Sequence, residues 1–205
     1  MPDESPIDRI YKELGVAINA LQASGEISAQ VVIEDHARKA LLLSVASHFE
    51  HRLTGYLKQL CMMAKNSLLT EFAVNKAVSR QYHALFQWKD KNMNSFFGLF
   101  GSEFKQRMTA SVKTDLQLDK AIKAFLELGN LRNQLVHQDY ATFPLDKTSD
   151  EIYQLYLEAL YFVDAFPGCL DEFIIQDDEP VSSAAVGCAS ETTQQQDPAV
   201  GSNSD

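Results

Sequence analysis

The chain has 205 residues, 45% of them hydrophobic and 10% aromatic, which is apolar material for one sizeable core and not for two. Its net charge of −10 argues against a broadly basic duplex-binding face, and no uninterrupted apolar run comes near the ~18 residues that a membrane span needs. Three cysteines without paired spacing (Cys61, Cys169, Cys188) and an acidic N-terminus suit a reducing, cytoplasmic setting, with no secretory signal and no membrane partner.

The charge is unevenly spread. From Asp171 onward the chain holds eight acids and no Lys or Arg, so residues 1 to 170 carry 20 acids against all 18 bases and are close to neutral. Local bases at Lys105, Arg107, Lys113, Lys120 and Lys123 read more simply as scattered solvated charge than as a binding face.

The first element predicted is a helix over residues 6 to 23, opened by Ser5 as N-cap and stopped by Ser24-Gly25, with Ile7, Ile10, Tyr11, Leu14 and Ile18 at helical spacing. A longer helix follows from about Ser28 to Lys65. Its apolar side carries Leu41, Leu42, Val45, Phe49, Leu53 and Tyr56, with Glu50 at the border of that side and Arg52 inside it. His48 and His51 lie opposite, three apart, but find no third ligand of useful spacing, and no metal or other cofactor is expected.

Shorter helical pieces are predicted over Leu68–Val78 and Gln81–Trp88, followed by the aromatic, glycine-broken stretch "NMNSFFGLFGSEFKQRM". Rings at that density belong in a core or an interface before they belong to base stacking. Thr114 or Asp115 then caps a helix running to about residue 138. Pro144 closes the polar turn beyond it, and residues 150 to 165 form a last amphipathic helix that Phe166-Pro167-Gly168 bends before one or two further turns. With no convincing strand pattern, the fold class is all-α: a bundle of about five main helices plus short connecting ones over residues 1–176, and a disordered acidic tail over 177–205.

Within the helix of residues 115–138, Ile122, Phe125, Leu126, Leu128, Leu135 and Val136 cover one broad side at about 100° per residue, and Arg132 falls near its middle. A guanidinium cannot shed its charge, so a packing face that carries one points it at a partner, a seam or a pocket. Asn133 and His137, four apart, share an edge of the same side. Spacing leaves two readings open: a buried ion pair of Arg132 with an acid such as Glu50, His137 merely capping the helix end, or a polar cleft built for chemistry.

Arg132-Asn133-x-x-x-His137, near the end of a long helix and followed by a polar turn and another apolar helix, resembles the Arg-x(4–6)-His motif of the HEPN superfamily. The stretch "LLLSVASHFEHRLTGYL" resembles the glutamate-bearing helix of RiboL-PSP-type HEPN domains, and "FFGLFGSEFKQRM" a segment some relatives carry before the motif helix. The likeness spans roughly residues 30 to 175. It implies a HEPN-like bundle and a metal-independent endoribonuclease of the toxin or anti-phage kind, in which a homodimer brings two motif helices to one composite site on an RNA substrate. Arg132, His137 and Asn133 would be catalytic, with Glu50, Asp139 and Tyr140 as supporting residues, and an antitoxin or defence-system protein as a further partner. In HEPN toxins paired with nucleotidyltransferase antitoxins a tyrosine stands second after the histidine; here Tyr140 stands third, so regulation through that tyrosine is not carried over.

Two rival readings remain at this level. A non-catalytic HEPN-like module would dimerise and bind a partner protein or nucleotide. An acidic helical antitoxin or adaptor would explain the charge and the tail alone, and it predicts no meeting of Arg132 with His137.

Overall fold

The computed structural model describes residues 4–63, 67–79 and 81–177, of which Gln176 and Asp177 are described in backbone only. The predicted acidic tail therefore lies outside the described residues from 178 onward. Among the described residues there is no strand, and the chain runs α1 (Pro6–Ala23), α2 (Ile27–Met62), α3 (Ser67–Ala73), a π-helical turn (Val74–Val78), a 3-10 turn (Tyr82–Ala84), α4 (Asn94–Phe97), a second 3-10 turn (Gly98–Phe100), α5 (Ser102–Thr114), α6 (Leu116–His137) and α7 (Ser149–Asp177). Five long helices with short connectors is the architecture predicted above. Among the described residues, no helix is long and apolar enough to cross a membrane.

Local chemistry sets the helix ends. Ser5 and Asp8 form a capping box in front of α1, with Pro6 in the first turn, where a missing N–H costs nothing. Asp115 opens α6 by accepting from the backbone N–H groups of Gln117 (2.9 Å) and Leu118 (3.0 Å), which satisfies two of the donors that a helix start leaves unpaired. Those bonds, that of Leu118 first, hold the Asp115 carboxyl below its usual range. Thr148 and Glu151 cap α7 reciprocally.

The core sits where α6 lies against both α2 and α7. Phe49 of α2, Phe125 of α6 and Tyr156 and Phe162 of α7 meet ring to ring, with centroids 5.3–5.7 Å apart. Each buries about 1.5–3 kcal/mol worth of apolar surface. The aromatic connector belongs to this core: Phe96, Phe97 and Phe104 are fully buried, Phe96 lying 4.5 Å from Phe86 and 5.1 Å from Phe166.

Packing adds details that the sequence reading did not give. The α7 helix runs on through Pro167, with Phe166 and Leu170 on either side buried in the core; the Tyr56 hydroxyl donates to the Pro167 carbonyl and to Asp171. Residues 81–88 hold only one 3-10 turn, since packing of Phe86 and Trp88 against Phe125 of α6 overrides their helical spacing. Arg52, inside the apolar side of α2, reaches its edge and pairs with Asp164 of α7 at 2.6 Å.

One contact sets the approach of the 81–88 connector to α6. The Trp88 ring lies where a Cβ of residue 129 would stand, so only glycine admits it. Gly129→Ala is expected to destabilise the protein by about 1–3 kcal/mol through overpacking, read as a fall in melting temperature of roughly 2–4 °C per kcal/mol for a chain of this size. A melting temperature at or above wild type would show that the indole is not held there.

Candidate functional site

The burial of α6 changes along its length. From Leu118 to Gly129 it is enclosed, with Ala121, Ile122, Ala124, Phe125, Leu126 and Leu128 buried; beyond Gly129 only Leu135 is. The last two turns thus leave the core, and this is where the polar motif stands. Arg132 and Asn133 are half-buried, while Val136 and His137 are exposed. Val136, placed on the packing side by the helical wheel, is 49% exposed because α6 outruns the helices that cover it.

Among the described residues no carboxylate lies within ion-pair distance of Arg132; its side chain donates to Asn133 Oδ1 at 3.3 Å. Of the two readings left open by spacing, the Arg132–Glu50 ion pair is not formed. Glu50, half-exposed on α2, faces His83 instead, with Oε2 3.6 Å from Nε2. A half-buried guanidinium at the end of a helix can do without such a partner, because its head reaches the surface.

His83 is the residue the sequence reading missed. The 3-10 turn of Tyr82–Ala84 carries it, and its backbone carbonyl accepts from Trp88 Nε1 at 2.9 Å, which ties its position to the indole on Gly129. Tyr82, buried behind it, presents its ring edge-on at 5.2 Å. Nδ1 of His83 is buried and has no hydrogen-bond partner. Burial first, then the Arg132 cation, and more weakly His137 push the His83 imidazole below its ordinary pKa, with Glu50 opposing. Arg132, His137, Glu50 and His83 thus share one electrostatic neighbourhood. Burial also raises Tyr82 far above the normal range, with Glu50 adding to the effect and Arg132 opposing it.

Asp139 and Tyr140 are placed differently. Asp139 holds the turn after α6: its carboxylate accepts from the Ala141 N–H (3.1 Å) and the Thr142 hydroxyl (3.2 Å), and its carbonyl accepts from the Phe143 N–H (2.8 Å). Tyr140 leans away over α2, its ring stacked on His36 at 6.3 Å and 5.4 Å from Lys39 Nζ. Lys39 is itself 1% exposed, a position an ammonium tolerates only when paired. It donates to Asp35 at 2.7 Å and to the Tyr140 carbonyl at 3.1 Å, pinning the turn that follows His137. The Lys39 ammonium and the Arg38 guanidinium hold the Asp35 carboxyl below its usual range.

His48, set apart from the motif, packs against Phe49 and Tyr156 and is pushed down chiefly by burial. Among the described residues no three His, Cys, Asp or Glu side chains come together to hold a metal ion. A hollow of about 790 Å³ between α1, α2 and the start of α7, lined by Tyr11, Asn19, Glu34, Arg38 and Asp150, contains none of the motif residues.

Compared with known proteins, residues 7–172 match the family model described as RiboL-PSP-HEPN. No curated protein and no solved structure matches the chain.

The Lys39 clamp gives a prediction with a worked pH dependence. Lys39→Met keeps the apolar stem and removes the ammonium; it is expected to cost about 1–3 kcal/mol, because the Tyr140 carbonyl loses its donor, and to speed amide exchange over Ala141–Phe143. The Asp35 pKa is depressed in the folded state, so the stability this pair contributes is present above 3.8, the unfolded value, and is lost as pH falls through the lower folded value. The stability difference between wild type and Lys39→Met should therefore narrow in acid, down to the part owed to the Tyr140 carbonyl. A constant difference down to the lowest pH at which both fold would contradict the clamp.

Proposed function

The chain belongs to the RiboL-PSP-HEPN family, and we propose that it is a metal-independent endoribonuclease that cleaves RNA by transesterification from the 2′-hydroxyl. The observation that carries this reading is the arginine, amide and imidazole of Arg132, Asn133 and His137 on the last turns of α6, where Arg132 is half-buried, has no carboxylate partner among the described residues and stays available for a phosphate.

In such a cleavage the 2′-oxygen attacks phosphorus in line with the departing 5′-oxygen. Three needs follow: charge stabilisation on the five-coordinate phosphate, removal of the 2′-hydroxyl proton, and delivery of a proton to the 5′-oxygen. The Arg132 guanidinium can fork onto two non-bridging oxygens. Asn133 uses its Oδ1 to hold Arg132, which leaves its amide N–H groups to donate to the same phosphate. Histidine exchanges protons near neutral pH, and His137, exposed one turn beyond Arg132, suits delivery to the leaving oxygen. The charge such a transition state needs comes from Arg132, so the reading calls for no metal.

The apolar surface beside the motif supports a homodimer. Val136, directly before His137, is 49% exposed, and a second copy packed there would cover it while bringing two motifs to one composite cleft. An unstacked single strand or loop is the substrate such a cleft suits. A toxin or anti-phage effector, held in check by a protein that covers the end of α6, is the biological setting this chemistry fits. The reading of second rank, a non-catalytic dimerising module that binds a partner protein or nucleotide, draws on the hollow of about 790 Å³ beside Arg38, which lies apart from the motif.

The test is cleavage of total RNA by the purified chain in EDTA, beside Arg132→Ala and His137→Ala. Cleavage is expected to survive chelation, to leave 2′,3′-cyclic phosphate and 5′-hydroxyl ends, and to fall by about 10²–10⁴-fold in His137→Ala, the range for loss of a proton-transfer group. Folded dimers of all three proteins that are equally inert would favour the binding module.

A further inference from the structure

We propose that His83 is a second proton-transfer residue of this site: the base that takes the 2′-hydroxyl proton, in the same protomer whose His137 serves the leaving oxygen. The inference rests on the ribonuclease reading above and deepens it: even in a composite cleft that holds two copies of His137, it assigns the 2′-hydroxyl proton to His83 and leaves His137 the leaving oxygen.

The geometry favours this residue on three counts. His83 is aimed, since its backbone carbonyl holds the Trp88 indole and that indole is seated on Gly129 of α6, one turn before Arg132. Its two nitrogens are unlike: Nδ1 is sealed in the interior without a partner, while the half-exposed side chain turns Nε2 toward Glu50. At 3.6 Å, Glu50 Oε2 is beyond hydrogen-bonding distance, so Nε2 stays free to meet a substrate oxygen, while the carboxylate is close enough to stabilise the imidazolium that forms there.

The charges around the ring suit a base. Glu50 faces it from α2, Arg132 and His137 from α6, and Tyr82 lies beside it on its own turn. Burial first, and then the Arg132 cation, lower the pKa of the imidazole, which favours the neutral form a base requires. A phosphate bound on Arg132 would offset that cation and raise the basicity of His83 when substrate is present. The less specific explanation is a surface ion pair of His83 with Glu50. Such a pair is worth little at this exposure and does not account for its separation of 3.6 Å.

The step balances without a co-reactant. The O2′–H bond breaks as Nε2–H forms on His83, O2′ bonds to phosphorus, the P–O5′ bond breaks, and O5′ takes a proton from the His137 imidazolium. One product ends in a 2′,3′-cyclic phosphate and the other begins with a 5′-hydroxyl; the two histidines regain their starting protonation from solvent.

The test uses the full chain and a short oligoribonucleotide taken from a site it cleaves in total RNA, made with either oxygen or sulfur at the scissile 5′ position. A thiolate leaves without a proton, so 5′-sulfur should restore His137→Ala and leave His83→Gln about 10²–10⁴-fold slow. His83→Gln should keep the wild-type KM and melting temperature, lower kcat, and abolish the acid limb of the kcat/KM profile, which in wild type lies below the ordinary histidine value of 6.5. Glu50→Gln should move that limb further toward acid, because it removes the carboxylate that opposes the shift. Wild-type rates in His83→Gln while Arg132→Ala is inactive, rescue of His83→Gln by 5′-sulfur, or an acid limb unmoved in both variants would overturn the assignment and leave the ribonuclease reading standing. A wild-type chain that cleaves no RNA would overturn both.

Discussion

The site depends on how closely one indole approaches one helix. With no side chain at Gly129, the Trp88 ring packs directly on the backbone of α6, and the connector that carries Tyr82 and His83 is drawn to the place where the helix leaves the core. The arrangement is stiff because the same ring also packs on Phe86 at 4.8 Å and on Phe125 at 5.7 Å, both in the buried cluster that joins α2, α6 and α7. Close-packed interiors transmit such constraints instead of absorbing them. The position of His83 relative to Arg132 is therefore a property of the core as much as of the surface.

Electrostatics divides the same end of the molecule into two zones. On one side Lys39 is buried and fully engaged, its ammonium shared between Asp35 and the Tyr140 carbonyl, and it holds the chain as it turns away from His137. On the other, Arg132 is half-buried, donates to the neutral amide of Asn133 with no carboxylate in ion-pair reach among the described residues, and influences His83 and Tyr82 through its charge. A paired buried cation fixes a fold, whereas a cation left without a counter-charge at a surface is available for an anion. Asp139 and Tyr140 belong to the first zone: one shapes the turn, the other covers Lys39. Their effect on chemistry at His137 would come through the turn's geometry and not through contact.

The helical pattern made the architecture legible from the residues alone. Apolar residues at three- and four-residue spacing, Ser5 and Asp115 as caps and Ser24-Gly25 as a stop mark the ends of α1 and the start of α6, because these signals act within one or two turns of chain. The oddity of Arg132, Asn133 and His137 on an otherwise apolar helix was legible for the same reason. Tertiary structure decided what is non-local. It showed that α6 outlasts its covering helices after Gly129, so that Val136 faces outward; that α7 runs on through Pro167 with buried residues on either side; and that Glu50 answers to His83 and not to Arg132. His83 carried no signal in the chain beyond being a lone histidine among aromatic residues. Its place beside Glu50 and the motif depends on three segments meeting across the core, and no local periodicity encodes such a meeting.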